Sequence, residues 1–167
     1  LMGLYKTMLS QYCLFAESKF KVAPFDASAG YWGNGVSGSN EGIRAVANTA
    51  LVYAVSAKEI GLPSARLRSL YIRRATAGIR YVTSTHLTDR QVCTDGKNWG
   101  NSWQSAMWTG TVCMAAWIVW DELDADTQAL VKRVAEYEAN RFLAKTPPGN
   151  EWGDTKAEEN GWDLTCI

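Results

Sequence analysis

The sequence predicts an all-α protein, built as an incomplete α/α toroid of antiparallel inner and outer helix pairs. Three observations predict it. Strand signals are nearly absent. Two segments, "AVANTALVYAVSA" at 45–57 and "AMWTGTVCMAAWIVW" at 106–120, are uncharged and apolar on nearly every face, as helices inside a larger structure are. Each is followed by a helix with one apolar stripe, and the spacing from Ser39 to Asn101 makes the repeating unit about 60 residues.

Six helical segments follow in order, covering roughly 1–19, 40–60, 64–86, 102–122, 125–145 and 155–167. Ser39 or Asn40 can cap the second, Ser64 after Pro63 the third, and Asp124 the fifth. In the third, Leu67, Leu70, Tyr71, Gly78, Ile79 and Val82 form the inward stripe; in the fifth, Leu130, Val131, Val134, Tyr137 and Phe142 do, with Lys132, Arg133, Glu136 and Glu138 outward. A bundle does not need fully apolar helices at every second position. An open solenoid of helix pairs has repeats of this size, but the loop lengths lean against it. Turns after the inner helices are tight, whereas the loops before them are long and rich in glycine, tryptophan and asparagine: 27–40, 94–100 and 146–153. These loops gather at one end, the expected place for function.

At 167 residues the chain is read as one domain, residues 1–167, and as a piece of a longer protein cut at both ends, since helical pattern is already running at Leu1 and still running at Ile167. Lysine plus arginine (17) balances aspartate plus glutamate (17), which gives no electrostatic reason to expect nucleic acid. No run of about 18 uncharged apolar residues argues for a membrane span. Cysteines at 13, 93, 113 and 166, with a single histidine, show no metal-type spacing. No cofactor motif is present, and no motif demands calcium among Asp95, Asp154 and Glu158.

Eight tryptophans are several times ordinary usage. They cluster with amides in three places: Tyr31 and Trp32 with Asn34 and Asn40; Trp99, Trp103 and Trp108 with Asn101 and Gln104; Trp152 and Trp162 with Asn160. Rings beside neutral amides suit carbohydrate, because a pyranose presents C–H faces to stack and hydroxyls to bond. The alternative is that the rings pack loops against helix ends while the asparagines cap. Trp32, Trp99, Trp103, Asp154, Glu158 and Asn160 are the candidate substrate-binding residues. Asp154 and Glu158 share a helical face and could serve a glycosidase as acid and base; Thr155 to Glu158 also matches a capping box. His86 closes the third helix, where it is either a capping residue or the group that titrates near neutrality.

The stretches "WGNSWQSAMWTGTVCMAAWIVWDEL", "VAEYEANRFLAKTPP" and "GDTKAEENGWD" resemble bacterial α/α-toroid proteins of the heparinase II/III-like and polysaccharide lyase grouping; the resemblance covers about the last 70 residues. It implies β-elimination on a polysaccharide containing uronic acid. That chemistry needs an amide or cation against the uronate carboxylate, a base (commonly Tyr or His) and an acid. Asn101 or Gln104 is the expected neutraliser, and Tyr31 or His86 the expected base or acid. An oligosaccharide or polysaccharide is the expected partner, and a periplasmic or secreted location goes with that reading. Glycoside hydrolysis through Asp154 and Glu158, and a non-catalytic helical-repeat scaffold, are the alternatives.

Overall fold

The computed structural model describes residues 2–38, 40–59, 64–102, 104–143 and 161. Helix α1 spans Met2–Glu17 and leads into a small antiparallel hairpin, β1 (Lys21–Ala23) and β2 (Asp26–Tyr31). Then come α2 (Ile43–Glu59), α3 (Ala65–Ser84), α4 (Ser105–Ile118), a single 3-10 turn at Trp120–Glu122, and α5 (Ala125–Leu143). Helix predominates, as expected. The expected sixth helix, 155–167, lies outside the described residues apart from Gly161.

The hairpin corrects the expectation of negligible strand. Lys21 pairs with Tyr31 and Val22 with Gly30, and the register shifts before Ala23 meets Asp26. Proline, glycine and alanines give this stretch little β propensity, so tertiary packing makes it. β2 lies on α3, Ala23 and Ala29 are buried, and Gly30 leaves the space that the Phe20 ring occupies, which a Cβ would enter.

α2 is the central helix, in contact with α3, α4 and α1. Its buried face is mostly alanine (Ala47, Ala50, Ala54, Ala57) around Val46 and Tyr53, so neighbouring backbones come close. A Cβ on Gly78 of α3 would stand only 2.9 Å from that of Ala50. α4 is less enclosed than its composition suggests. Val112, Ala115 and Ala116 are buried, but Met114 is 54% and Trp117 79% exposed.

Two of the expected caps form. Ser64 Oγ accepts from the Leu67 N–H at 3.2 Å, and Asp124 Oδ1 accepts from the Thr127 N–H at 2.7 Å. At α2 the helix begins only at Ile43, so Asn40 stands short of the capping position; Ser39 is not among the described residues. The inward stripes of α3 and α5 hold at Tyr71, Gly78, Ile79, Val82, Val131 and Val134. Glu138 is the exception on α5, because it is wholly buried rather than outward.

Two of the three long loops meet. The Thr94 N–H donates to Gly35 O at 3.1 Å and the Thr94 hydroxyl to Asn34 O at 2.5 Å, while Asp95 accepts from the Ser37 N–H and hydroxyl. The third loop, 146–153, is outside the described residues. Cys13, Cys93 and Cys113 are free thiols. Burial pushes those of Cys93 and Cys113 up to about 11.

Candidate functional site

The site grows from the end of α3. Helix geometry stops at Thr85, whose N–H and hydroxyl both return to Tyr81 O. The next residue, His86, then bridges to Trp99 across a loop that doubles back: Leu87 N–H donates to Trp99 O at 2.9 Å and Trp99 N–H to Thr85 O at 3.2 Å. Asn98 ties the loop shut through its amide, which donates to Gln91 O and Thr85 O. The loop thereby delivers Trp99, Gly100 and Asn101 to the start of α4.

His86 is wholly buried, which corrects its placement as a helix-end capping residue. Its Nδ1 accepts from the Thr88 N–H at 3.3 Å and lies 2.9 Å from the Thr88 hydroxyl. An acceptor Nδ1 puts the proton of the neutral ring on Nε2. Nε2 faces Glu138 Oε1 at 3.5 Å, and Glu138 is equally buried. The carboxylate's other oxygen takes two N–H bonds from Arg141, at 3.1 and 2.9 Å. The imidazole is held edge-on between Trp99 (4.6 Å between centroids) and Tyr137 (5.3 Å). Gly100 is required here, because φ is +128° and a Cβ would approach His86 Nε2 to 2.9 Å.

Asn101 is exposed and left-handed, with φ of +52°. Its Oδ1 accepts from the Tyr137 hydroxyl at 2.9 Å. That bond leaves the amide N–H₂ of this exposed side chain without a hydrogen-bond partner among the described residues. Ser102 and Ser105 bond to one another through side chain and main chain and so start α4. Gln104, next to them, is buried without capping the helix.

Five buried polar atoms have no hydrogen-bond partner among the described residues: His86 Nε2, Gln104 Oε1, Trp108 Nε1, Thr109 Oγ1 and Glu138 Oε1. Orphans of this kind are few in a native domain. Here all come from the first turns of α4 or from the His86–Glu138 pair.

The sequence-predicted residues divide accordingly. His86, Trp99, Asn101 and Gln104 come together at the α4 end. Tyr31 does not join them; it closes β2 with its ring 4.9 Å from that of Tyr81. Trp32 is buried, stacked on Tyr53, with its indole N–H donating to Ala16 O at 3.0 Å. Trp99 is 2% exposed and donates to Val82 O at 2.7 Å. Both rings are therefore packed in the interior, Trp32 at 4% exposure and Trp99 at 2%. Trp103, Asp154, Glu158 and Asn160 lie outside the described residues.

Sequence reasoning missed Glu138 and Arg141 and gave Tyr137 only a packing role. The signal was periodic. Positions 127, 131, 134, 138 and 141 repeat at helical spacing, and Thr127, Val131, Val134 and Glu138 are all buried. Charge argued for solvent and geometry for the core; geometry held. Among the described residues no group of His, Cys, Asp and Glu is placed to hold a metal ion, and no helix is long and apolar enough to cross a membrane. No family model matches the chain, and comparison with curated proteins and with solved structures gives no match.

Proposed function

We propose that this chain belongs to a carbohydrate-active α/α toroid and acts as a polysaccharide lyase, by β-elimination on a glycan containing uronic acid. The observation that carries the reading is the convergence of Asn101, Tyr137 and His86. They come from three separate segments and meet within one bond (Tyr137 to Asn101, 2.9 Å) and one ring contact (His86 to Tyr137, 5.3 Å between centroids). An amide, a phenol and an imidazole are the groups that such an elimination uses.

In this reading the free N–H₂ of Asn101 bonds the uronate carboxylate, with Gln104 behind it, and makes the neighbouring C–H acidic. Tyr137 takes the role first expected of Tyr31: its oxygen accepts the C–H proton. The C–H electron pair forms the new C=C bond, and the glycosidic C–O bond breaks with its electron pair on the leaving oxygen. The Tyr137 hydroxyl then returns the proton to that oxygen. His86, held by Glu138 and Arg141, supports the Tyr137 ring from the interior. The outward Met114 and Trp117 of α4 supply the flank that a further helix pair covers in a ring.

The test incubates the protein with acidic and neutral polysaccharides and follows near-ultraviolet absorbance of an unsaturated uronate together with reducing ends. Both rising together, and both lost in Asn101→Ala and Tyr137→Phe, is the expected result. Reducing ends without absorbance moves the reaction to hydrolysis through Asp154 and Glu158. Neither signal removes the enzyme reading and leaves a helical scaffold.

A further inference from the structure

Tyr12 and Phe15 lie three positions apart on α1 and are 39% and 63% exposed. Unlike Trp32 and Trp99, these rings are open to solvent. They form one wall of a cleft of about 440 Å³ between the end of α1 and the loop leading into α2, a volume within the usual range for small-ligand sites. Ala16, Ala45 and Trp32 also line it; the two alanines leave it depth.

Two cations line the same cleft. Lys19 Nζ stands 5.9 Å from the centroid of the Phe15 ring, and Lys21 Nζ stands 5.7 Å from that of Tyr31 while donating to Gly33 O at 2.7 Å. Among the described residues neither ammonium is paired with a carboxylate, whereas Lys58, Arg68, Arg74 and Arg80 all are. Glu41, also on the lining, is held at φ of +54° by main-chain bonds from Asn34 and Gly35 to its carbonyl. A non-glycine residue kept in the left-handed region beside a cleft is a feature of ligand sites.

We propose that this cleft binds a short acidic saccharide, with a sugar face on Phe15 and Tyr12, its carboxylate at Lys19 and Lys21, and a hydroxyl donating to Glu41. Open rings bordered by unpaired ammoniums fit a ring-shaped ligand that carries a carboxylate. The proposal goes beyond the cleavage reading and does not need it, because the residues of the elimination site and those of the cleft are different.

Titration with trigalacturonate, followed calorimetrically and by Trp32 indole shifts in NMR, tests it, with maltotriose and citrate as controls. Trigalacturonate binds, and the neutral sugar and the sugar-free carboxylate do not. Phe15→Ala and Lys19→Ala each weaken binding by about tenfold, the size of one good contact. Both positions are exposed, and far-ultraviolet circular dichroism verifies that the variants fold; Lys19→Glu supplies a second charge variant. No binding, citrate binding equally well, or affinity unchanged in the variants overturns the proposal. Tyr137→Phe separates the two readings, since it abolishes cleavage while leaving trigalacturonate in the cleft.

Discussion

The loop that leads into α2 and the loop that leads into α4 are made of the same residue types. Each carries tryptophan, asparagine, glycine and serine, and among the described residues each holds one non-glycine residue in the left-handed region, Glu41 in one and Asn101 in the other. Before α2 the polar groups are spent on structure. Trp32 donates to Ala16 O, Tyr81 to Gly35 O, Ser37 to Asp95, and Asn34 Oδ1 accepts from the Val36 N–H. In the first turns of α4 and at its cap, Trp108, Thr109 and Gln104 keep unpartnered buried atoms. Similar sequence thus builds a closed junction, with its polar groups paired, in one place and an open one, with buried polar atoms left unpartnered, in the other.

The largest effects test whether the tryptophans are core at both junctions. Trp32→Ala and Trp99→Ala each lower stability by about 3–5 kcal/mol in urea unfolding, as for other buried aromatic truncations. A loss well under about 1 kcal/mol at either position would return that ring to the surface and to a sugar-stacking role. Next is the buried charged pair at the α4 end. Glu138→Ala removes a wholly buried carboxylate together with the two N–H bonds that it accepts from Arg141, and costs about 3 kcal/mol, the scale of a core truncation that also loses charge-assisted bonds. A stability indistinguishable from the parent would show that solvent reaches this pair.

Tyr137→Phe should separate activity from stability. The lost bond to Asn101 costs only about 1 kcal/mol, while uronate cleavage falls by about a hundredfold or more, the usual scale for a lost proton-transfer group. Equal turnover in both proteins would remove Tyr137 from the chemistry. Backbone strain gives a smaller contrast. Glu41→Gly relieves a left-handed glutamate and raises stability by about 1 kcal/mol. Asn101→Gly relieves less, since asparagine tolerates that region, and it also forfeits the Tyr137 bond, so its net change is near zero. A matched gain at both sites would mean that the Asn101 bond contributes nothing.

Much of the helix framework could be read from the chain because its signals are local. Ser64 and Asp124 sit where a cap must sit, and the stripes of α3 and α5 repeat at helical spacing. The hairpin could not be read, because its strands are short and are held by α3 and Phe20 rather than by their own propensity. At the site, the loop chemistry brought His86, Trp99, Asn101 and Gln104 into view. It misjudged what burial does to two of them, since a tryptophan beside an asparagine looks the same whether its ring faces solvent or core. Glu138 was hidden by its charge although its position on α5 announced it.

The smallest expected effect is read in acid. At the closed junction Asp95 joins the two long loops by accepting from the Ser37 hydroxyl at 2.8 Å and from its N–H at 3.3 Å. Partial desolvation raises the Asp95 pKa, and the bonds from Ser37, the Lys97 N–H and its own N–H outweigh this and bring it below the ordinary aspartate value. A carboxyl depressed on folding adds stability above the unfolded aspartate pKa of about 3.9, and that contribution is lost as pH falls through the folded value. Asp95→Asn should therefore be less stable than the parent at about pH 7, and the gap should narrow as pH falls below about 3.9 through the lowered folded value, read from urea midpoints at each pH. Asn101→Ala, at the open junction, removes a neutral amide and should show the same small deficit at both. A pH-independent gap for Asp95→Asn would mean that the clamp is steric, and the contrast between a charged closed junction and a neutral open one would rest on the unpartnered atoms of α4 alone.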